Sequence, residues 1–426
     1  MKSNSNLRTY LMILPVQYYR IREQTVALEG AFTEHLKLLK LKILPTYDQF
    51  LIGMVETSSE AYEKNKSRLA IIDEQEENIF FKTLYKSENL SSRMKQVREL
   101  FSISNRLKKL IKTCSVLHTG LSSNIWFPME FIATLWGIFL KKKIVYVVDI
   151  DFRDSAEMNY KAGRWSFKSY LLCKYIYDKL RSFQIQVAVN HCSLVLLKGK
   201  KLCQDFGKGK PHVKNFLDAA HSDHHIIDQA ALDQKLLQLS NSNHPLEIVY
   251  FGRLVSYKGI DFCLRAIALA TQKMGCNLKF HIIGQGDEEE KLKNLTQELG
   301  IENNVIFYGA LPFNLDFFKQ LYTYHLLLAA PLSEDTPRSA LDAMAAGIPI
   351  LAFDTYYYRD LTATGAVSTV PWLSVEALAQ QIAEYDQNRQ LLAEMVLKAI
   401  EFAKQNTQEI WLDKRLDWTL TYTNSQ

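Results

Sequence analysis

The chain has 426 residues, of which 47% are hydrophobic and 23% charged, a composition that fits a soluble globular protein with two ordinary domains. Its six cysteines are scattered with no Cys-x-x-Cys pair, which argues against a disulfide framework or a zinc site and for reduced thiols in a cytosolic protein. The net charge of +5 is unevenly spread: residues 1–220 carry +14 and residues 221–426 carry −9. A basic first half points to an anionic partner, with a membrane surface or a phosphorylated acceptor preferred over nucleic acid, for which no recognition module is present.

In chain order, Leu11–Pro15 reads as a first strand. Gln24–Leu39 has helical spacing, with Ala27, Phe32 and Leu36 on the buried face. Residues 55–112 are polar and lysine-rich and predict two or three surface helices. A short strand is expected at Ser115–His118. Ile125–Leu140 predicts a buried helix; at 16 residues it is too short to span a bilayer. Its rival is an interfacial helix, with Trp126, Phe127 and Trp136 in lipid and Lys141–Lys143 at the head groups. The N-terminus lacks the order of a signal peptide.

Ile144–Val148 predicts a buried strand ending at Asp149-Ile150-Asp151. Gln186–Val189 and Ser193–Leu197 read as strands, Gly199–Gly209 as a loop, and His212–Ser240 as the passage between domains. From Leu246, strands (246–252, 278–283, 304–308, 325–330, 348–353) alternate with helices (260–274, 287–299, 314–322, 337–346). Such alternation predicts a parallel sheet wound with helices. Glu376–Tyr422 is expected to be helical.

Two segments carry the chemistry. Ser333–Gly347 places Glu334 before a helix start and Asp342 eight positions later, with Thr336 as the expected N-cap and Pro337 as the first helical residue. Ile248–Gly259 ends a strand with Gly-Arg-Leu-Val-Ser-Tyr-Lys-Gly, which places Arg253 and Lys258 where open α/β sheets bind ligands. Both segments resemble motifs of the retaining glycosyltransferases of family four (glycosyl transferases group 1). The first is similar to the family's acid, seven residues, acid pattern running into Ala-Met-Ala-x-Gly-x-Pro; the second is similar to its Gly-Arg-x-x-x-x-Lys-Gly. The resemblance is clear over about residues 246–365, and the first 220 residues match only in general layout.

This resemblance implies the GT-B fold: α/β, two Rossmann-like doubly wound domains facing a cleft. The expected division is residues 1–220 for the acceptor, 221–245 as linker, 246–404 for the nucleotide-sugar, and 405–426 as a helix crossing back. It implies that Arg253 and Lys258 stabilise a departing nucleoside diphosphate. Glu334 would meet the donor sugar's hydroxyls and Asp342 the ribose. Thr336 and Ser339 would add donors to the phosphates. Gly284, Gly286 and Gly309 would shape the base pocket, and Gly30 would approach the phosphates. Where the family commonly carries a His at a first-domain strand end, this chain has Asp149 and Asp151, which are expected to take its place. Their Asp-x-Asp spacing is not read as a metal site. Two further departures are Asp342 in place of Glu, and Asp335 where Gly is common; a carboxylate there is unfavourable beside a diphosphate unless it points away.

The expected activity is retaining sugar transfer from a nucleotide-sugar to a surface polysaccharide or lipid-linked glycan, without cofactor or metal. The expected place is the cytoplasm, peripheral on the inner face of the membrane. The rivals are a transferase acting on a soluble acceptor and a non-catalytic glycan- or nucleotide-sugar-binding relative.

Overall fold

The computed structural model describes residues 7–66, 69–87 and 93–424 and divides the chain into two compact units. The first comprises Met1–Asp149, Leu172–Phe216 and Trp411–Gln426; the second comprises Ile150–Leu171 and Leu217–Ile410. This differs from the expected division at two points. Residues 150–171 group with the second unit, and Leu217–Ser240 packs there as well instead of serving as a bare linker.

The first unit holds β1 (Thr9–Arg22), β2 (Thr25–Glu29), β3 (Gln49–Thr57), β4 (Leu69–Asp73), β5 (Ile79–Lys86), β6 (Val116–Gly120), β7 (Lys143–Val148), β8 (Leu194–Leu197) and β9 (Val213–Asn215). Its parallel strands lie in the order β5-β3-β1-β6-β7-β8-β9. Side chains alternate between two covered faces: Leu11 and Ile13 join one core cluster, Tyr10 and Met12 the other. Leu412 and Trp411 of the last helix, Gln408–Asn424, pack on that second face.

Several expectations for this half are corrected. Gln24–Leu39 is not one helix: Thr25–Glu29 pairs antiparallel with the far end of β1, and a helix follows at Gly30–Ile43. Gly30 therefore follows the second strand, not the first. The stretch 55–112 hides β4, β5 and the end of β3 between helices Ser59–Asn65, Glu74–Glu77 and Arg93–Thr113. Gln186–Val189 lies inside helix Asp178–His191, and Lys200–Phe206 is a short helix instead of loop.

The second unit holds β10 (Leu246–Phe251), β11 (Leu278–Ile283), β12 (Val305–Gly309), β13 (Leu326–Ala329), β14 (Ile350–Phe353) and β15 (Val367–Val370). All pairs are parallel, in the order β12-β11-β10-β13-β14-β15. The expected alternation through residue 353 is present; β15 and helix Tyr356–Leu361 were not anticipated. Chain order reverses between β10 and β13, so the loops leaving those two strands diverge and leave room for a ligand. Those loops carry both chemical segments.

Candidate functional site

The loop after β10 is held by backbone contacts that exclude side chains. Gly259 sits at φ 64°, and a Cβ there would lie 1.9 Å from the Ala330 carbonyl oxygen in the loop after β13. Leu332 N–H donates to the Tyr257 carbonyl at 2.8 Å, closing the same pair of loops. Gly284 locks the next loop in the same way, because a Cβ there would lie 1.8 Å from the Gly252 carbonyl oxygen. Gly286 faces the Leu254 carbonyl, and the Gly284 N–H donates to the Gly309 carbonyl at 2.7 Å. Gly284 and Gly286 are thus close-approach positions between adjoining loops, whereas a Cβ on Gly309, at φ 71°, would meet nothing within 4 Å.

Within this frame Lys258 Nζ donates to Asp335 Oδ2, with both side chains largely buried. The other carboxylate oxygen of Asp335 accepts the Thr336 N–H at 2.9 Å. Asp335 therefore does not point away from the Lys258 loop. Its carboxylate holds a cation and a backbone donor at once. Arg253 is exposed and donates to the Tyr257 hydroxyl at 2.8 Å. A small pocket between the two strand ends is lined by Phe251, Lys258, Asp335, Pro337, Ser339 and Tyr358, among others.

Thr336 does not cap the following helix. That helix runs over Ser339–Ala345 with Arg338 at its N-cap, two residues later than expected. The reason is local: the Asp335 side chain takes the Thr336 amide, so the chain turns before it coils. Asp342 is deeply buried, and its Oδ1 accepts the backbone N–H groups of His221 at 2.9 Å and Ala220 at 3.3 Å. The far end of the same helix is held by fully buried Lys235, whose ammonium donates to the carbonyls of Tyr324, Ala346 and Gly347 at 2.6, 2.8 and 3.1 Å.

Glu334 accepts the Tyr356 N–H at 3.2 Å from the start of helix Tyr356–Leu361, which follows β14. Burial raises its pKa to about 7; the Tyr356 bond opposes this, while the charges of Asp151 and Asp154 add to it. Asp151 is thereby placed near Glu334, but it is gripped in a fork by Arg153, at 2.8 Å from Nε and 2.5 Å from Nη2. Asp149 falls in the first unit and is exposed.

One cation here was not foreseen. Arg164, in the segment Ile150–Leu171, donates to Ser256 Oγ at 3.1 Å and lies over the Tyr257 ring, with its guanidinium carbon 5.8 Å from the centroid. Burial lowers its pKa. It stands beside Arg253 and Lys258 on the same loop, yet 92 residues away in sequence. A lone Gly-Arg-Trp carries no motif, so no local signal could have found it. Among the described residues no group of His, Cys, Asp and Glu has a metal-holding arrangement, and no helix is long and apolar enough to cross a membrane.

Comparison with known proteins adds four findings. The family model described as Glycosyl transferases group 1 matches residues 235–405. An uncharacterized glycosyltransferase of Haemophilus influenzae is 36% identical over 121 residues, 28% of this chain and 32% of that protein. An uncharacterized glycosyltransferase of Methanocaldococcus jannaschii is 23% identical over 330 residues, 75% of this chain and 70% of that protein. The chain thus spans only about a third of the Haemophilus relative. Among solved structures, HepE of Anabaena in complex with UDP has a TM-score of 0.63 at 15% identity, covering 97% of this chain and 100% of that one, which shows the shared fold.

Proposed function

We propose, on the premise that residues 235–405 form a glycosyl transferases group 1 domain, that the chain is a glycosyltransferase using a nucleoside-diphosphate sugar. The observation that carries this reading is the convergence of Arg253, Lys258 and Glu334 on the loops at the reversal of strand order. Cations at the diphosphate stabilise the charge that grows as the bond between the anomeric carbon and phosphate oxygen breaks. A bond to the acceptor oxygen forms on the same face, and the acceptor's proton leaves with the phosphate. Retention of configuration follows from that geometry and is part of the proposal.

Glu334 holds the sugar hydroxyls, and Arg253, Lys258 and Arg164 the diphosphate. Asp342 reaches the ribose through Oδ2, since Oδ1 is taken by the backbone. Thr336 and Ser339 border the phosphates, and Asp151 takes the place of the family's His. The acceptor is a surface polysaccharide or lipid-linked glycan at an anionic membrane, a reading supported by the basic first half.

The test is slow donor hydrolysis across a panel of nucleotide-sugars, UDP-sugars first. One donor should be hydrolysed, and Glu334→Ala and Arg253→Ala should each lower the rate about a hundredfold or more. No binding of any nucleoside diphosphate would sink the reading. Binding without turnover, even with acceptor glycans supplied, would favour the non-catalytic relative.

A further inference from the structure

The first unit carries a surface that its own packing leaves uncovered. Residues 167–191 run as one continuous helical stretch: Phe167–Leu172, a π-turn at Cys173–Tyr177, and Asp178–His191. From Leu172 onward it belongs to the first unit. Its inner face buries Ile185, Ala188 and Val189, as a surface helix should. Its outer face should then be polar, but it presents Leu172, Ile176, Leu180 and Phe183 at 42, 49, 41 and 58% exposure. The π-turn adds one residue to that turn and leaves Tyr175 exposed as well.

Beside it lies helix Met129–Phe139, with Phe131 and Phe183 ring centroids 6.2 Å apart. Trp126, just before that helix, donates its indole N–H to the Tyr177 hydroxyl at 3.1 Å. Trp126 and Phe139 are 55 and 71% exposed, so the apolar face continues across both helices. Isolated exposed side chains need no explanation, but a contiguous set does.

The stretches that build this face carry mostly basic charge. Residues 125–148 and 167–191 contain only two carboxylates, Glu130 and Asp178. Both are buried: Glu130 accepts from Ser122 Oγ at 2.9 Å, and Asp178 from Arg181 at 2.9 Å. The same stretches hold six lysines, among which Lys141 and Lys179 are exposed. Apolar and aromatic side chains ringed by lysines, with every acid turned inward, complement an anionic lipid surface.

We propose that this face, Trp126 to Phe139 and Leu172 to Phe183, docks the chain on an anionic membrane. The proposal deepens the reading of a transferase whose acceptor lies at a membrane and rests on it. The test is flotation of the full chain with vesicles of phosphatidylcholine, alone or with about a third phosphatidylglycerol. The chain should float with the anionic vesicles, and binding should fall about tenfold in Ile176→Ser with Phe183→Ser and in Lys141→Glu with Lys179→Glu. These side chains project into solvent, so both variants should keep the parent's melting temperature and nucleoside-diphosphate affinity.

Failure to bind either vesicle, or full binding by the serine variant, overturns the proposal. A lipid-free dimer that the serine variant converts to monomer would assign the face to a second copy instead, and would overturn it too. Donor hydrolysis, followed in parallel, separates the two readings. Hydrolysis without vesicle binding sinks the docking face alone, whereas vesicle binding without hydrolysis of any donor sinks the transferase and leaves the docking face standing.

Discussion

Asp335→Asn should tighten nucleoside-diphosphate binding by about tenfold or more, and Lys258→Ala should nearly abolish it. In the structure the Asp335 carboxylate already holds Lys258 and the Thr336 amide. A diphosphate entering the site must separate that pair or share Lys258 with a like charge. At about 5 Å and an effective dielectric of roughly 20, one such repulsion is worth up to about 3 kcal/mol. Asn keeps the acceptor for Thr336 and removes the charge, so geometry is retained while the repulsion is lost. Calorimetric titration with UDP, compared at low and high salt, reads the effect directly. If Asp335→Asn weakens binding as much as Lys258→Ala does, Asp335 orients the lysine for its ligand and the competition argument fails.

Glu334→Gln should stabilise the fold above pH 7 and still lose the donor sugar. Burial first, then Asp151 and Asp154, raise the Glu334 pKa to about 7, against an ordinary 4.5. Between those values the folded state binds more protons than the unfolded one, so the contribution of this group to stability falls as pH rises. It is fully present below about pH 4.5 and gone above about pH 7. The shift corresponds to at most about 3 kcal/mol. Gln keeps an oxygen for the Tyr356 N–H and carries no charge, so the variant should match the parent near pH 4 and exceed it by about 2–3 kcal/mol at pH 8. Urea unfolding at the two pH values measures this. Equal stability of parent and variant at both would mean that Glu334 is solvated more fully than its surroundings indicate. Donor affinity of the parent should rise through pH 7, where the carboxylate becomes a full acceptor; a flat profile would remove Glu334 from sugar recognition.

The second unit was legible because its strands are short, buried and separated by amphipathic helices, so each element declares its period locally. Gly284 and Gly286 were legible only through the family resemblance, which implied a base-pocket turn and not the close backbone approach that the structure shows. The first unit was harder to read. β2 pairs with the far end of β1, and β4 pairs with β2, at positions the local pattern cannot encode. Ile71 in β4 is exposed, which erases the alternation that would have marked the strand. At the site, Arg253, Lys258 and Glu334 lie within recognisable spacings. The partners that decide their chemistry do not: Asp335 meets Lys258 from 77 positions away, and Arg164 comes from another stretch altogether. The late helix start traces to a single side chain bonding to its neighbour's amide, a choice that capping rules do not weigh.

The tethering of helix Ser339–Ala345 sets where the second unit can be excised. Seven residues are too few to coil unaided. Its buried acid is satisfied by the amides of residues 220 and 221, and Lys235 holds the Ala346 and Gly347 carbonyls just past its end together with that of Tyr324. A fragment cut at Leu246, where the sheet begins, would strand a buried carboxylate and three carbonyls at once, each at a cost of kilocalories. The smallest piece able to keep this helix in place must begin before Ala220, well upstream of its first strand. The motif is therefore not a cassette to be grafted elsewhere, because half of what holds it lies outside the segment that identifies it.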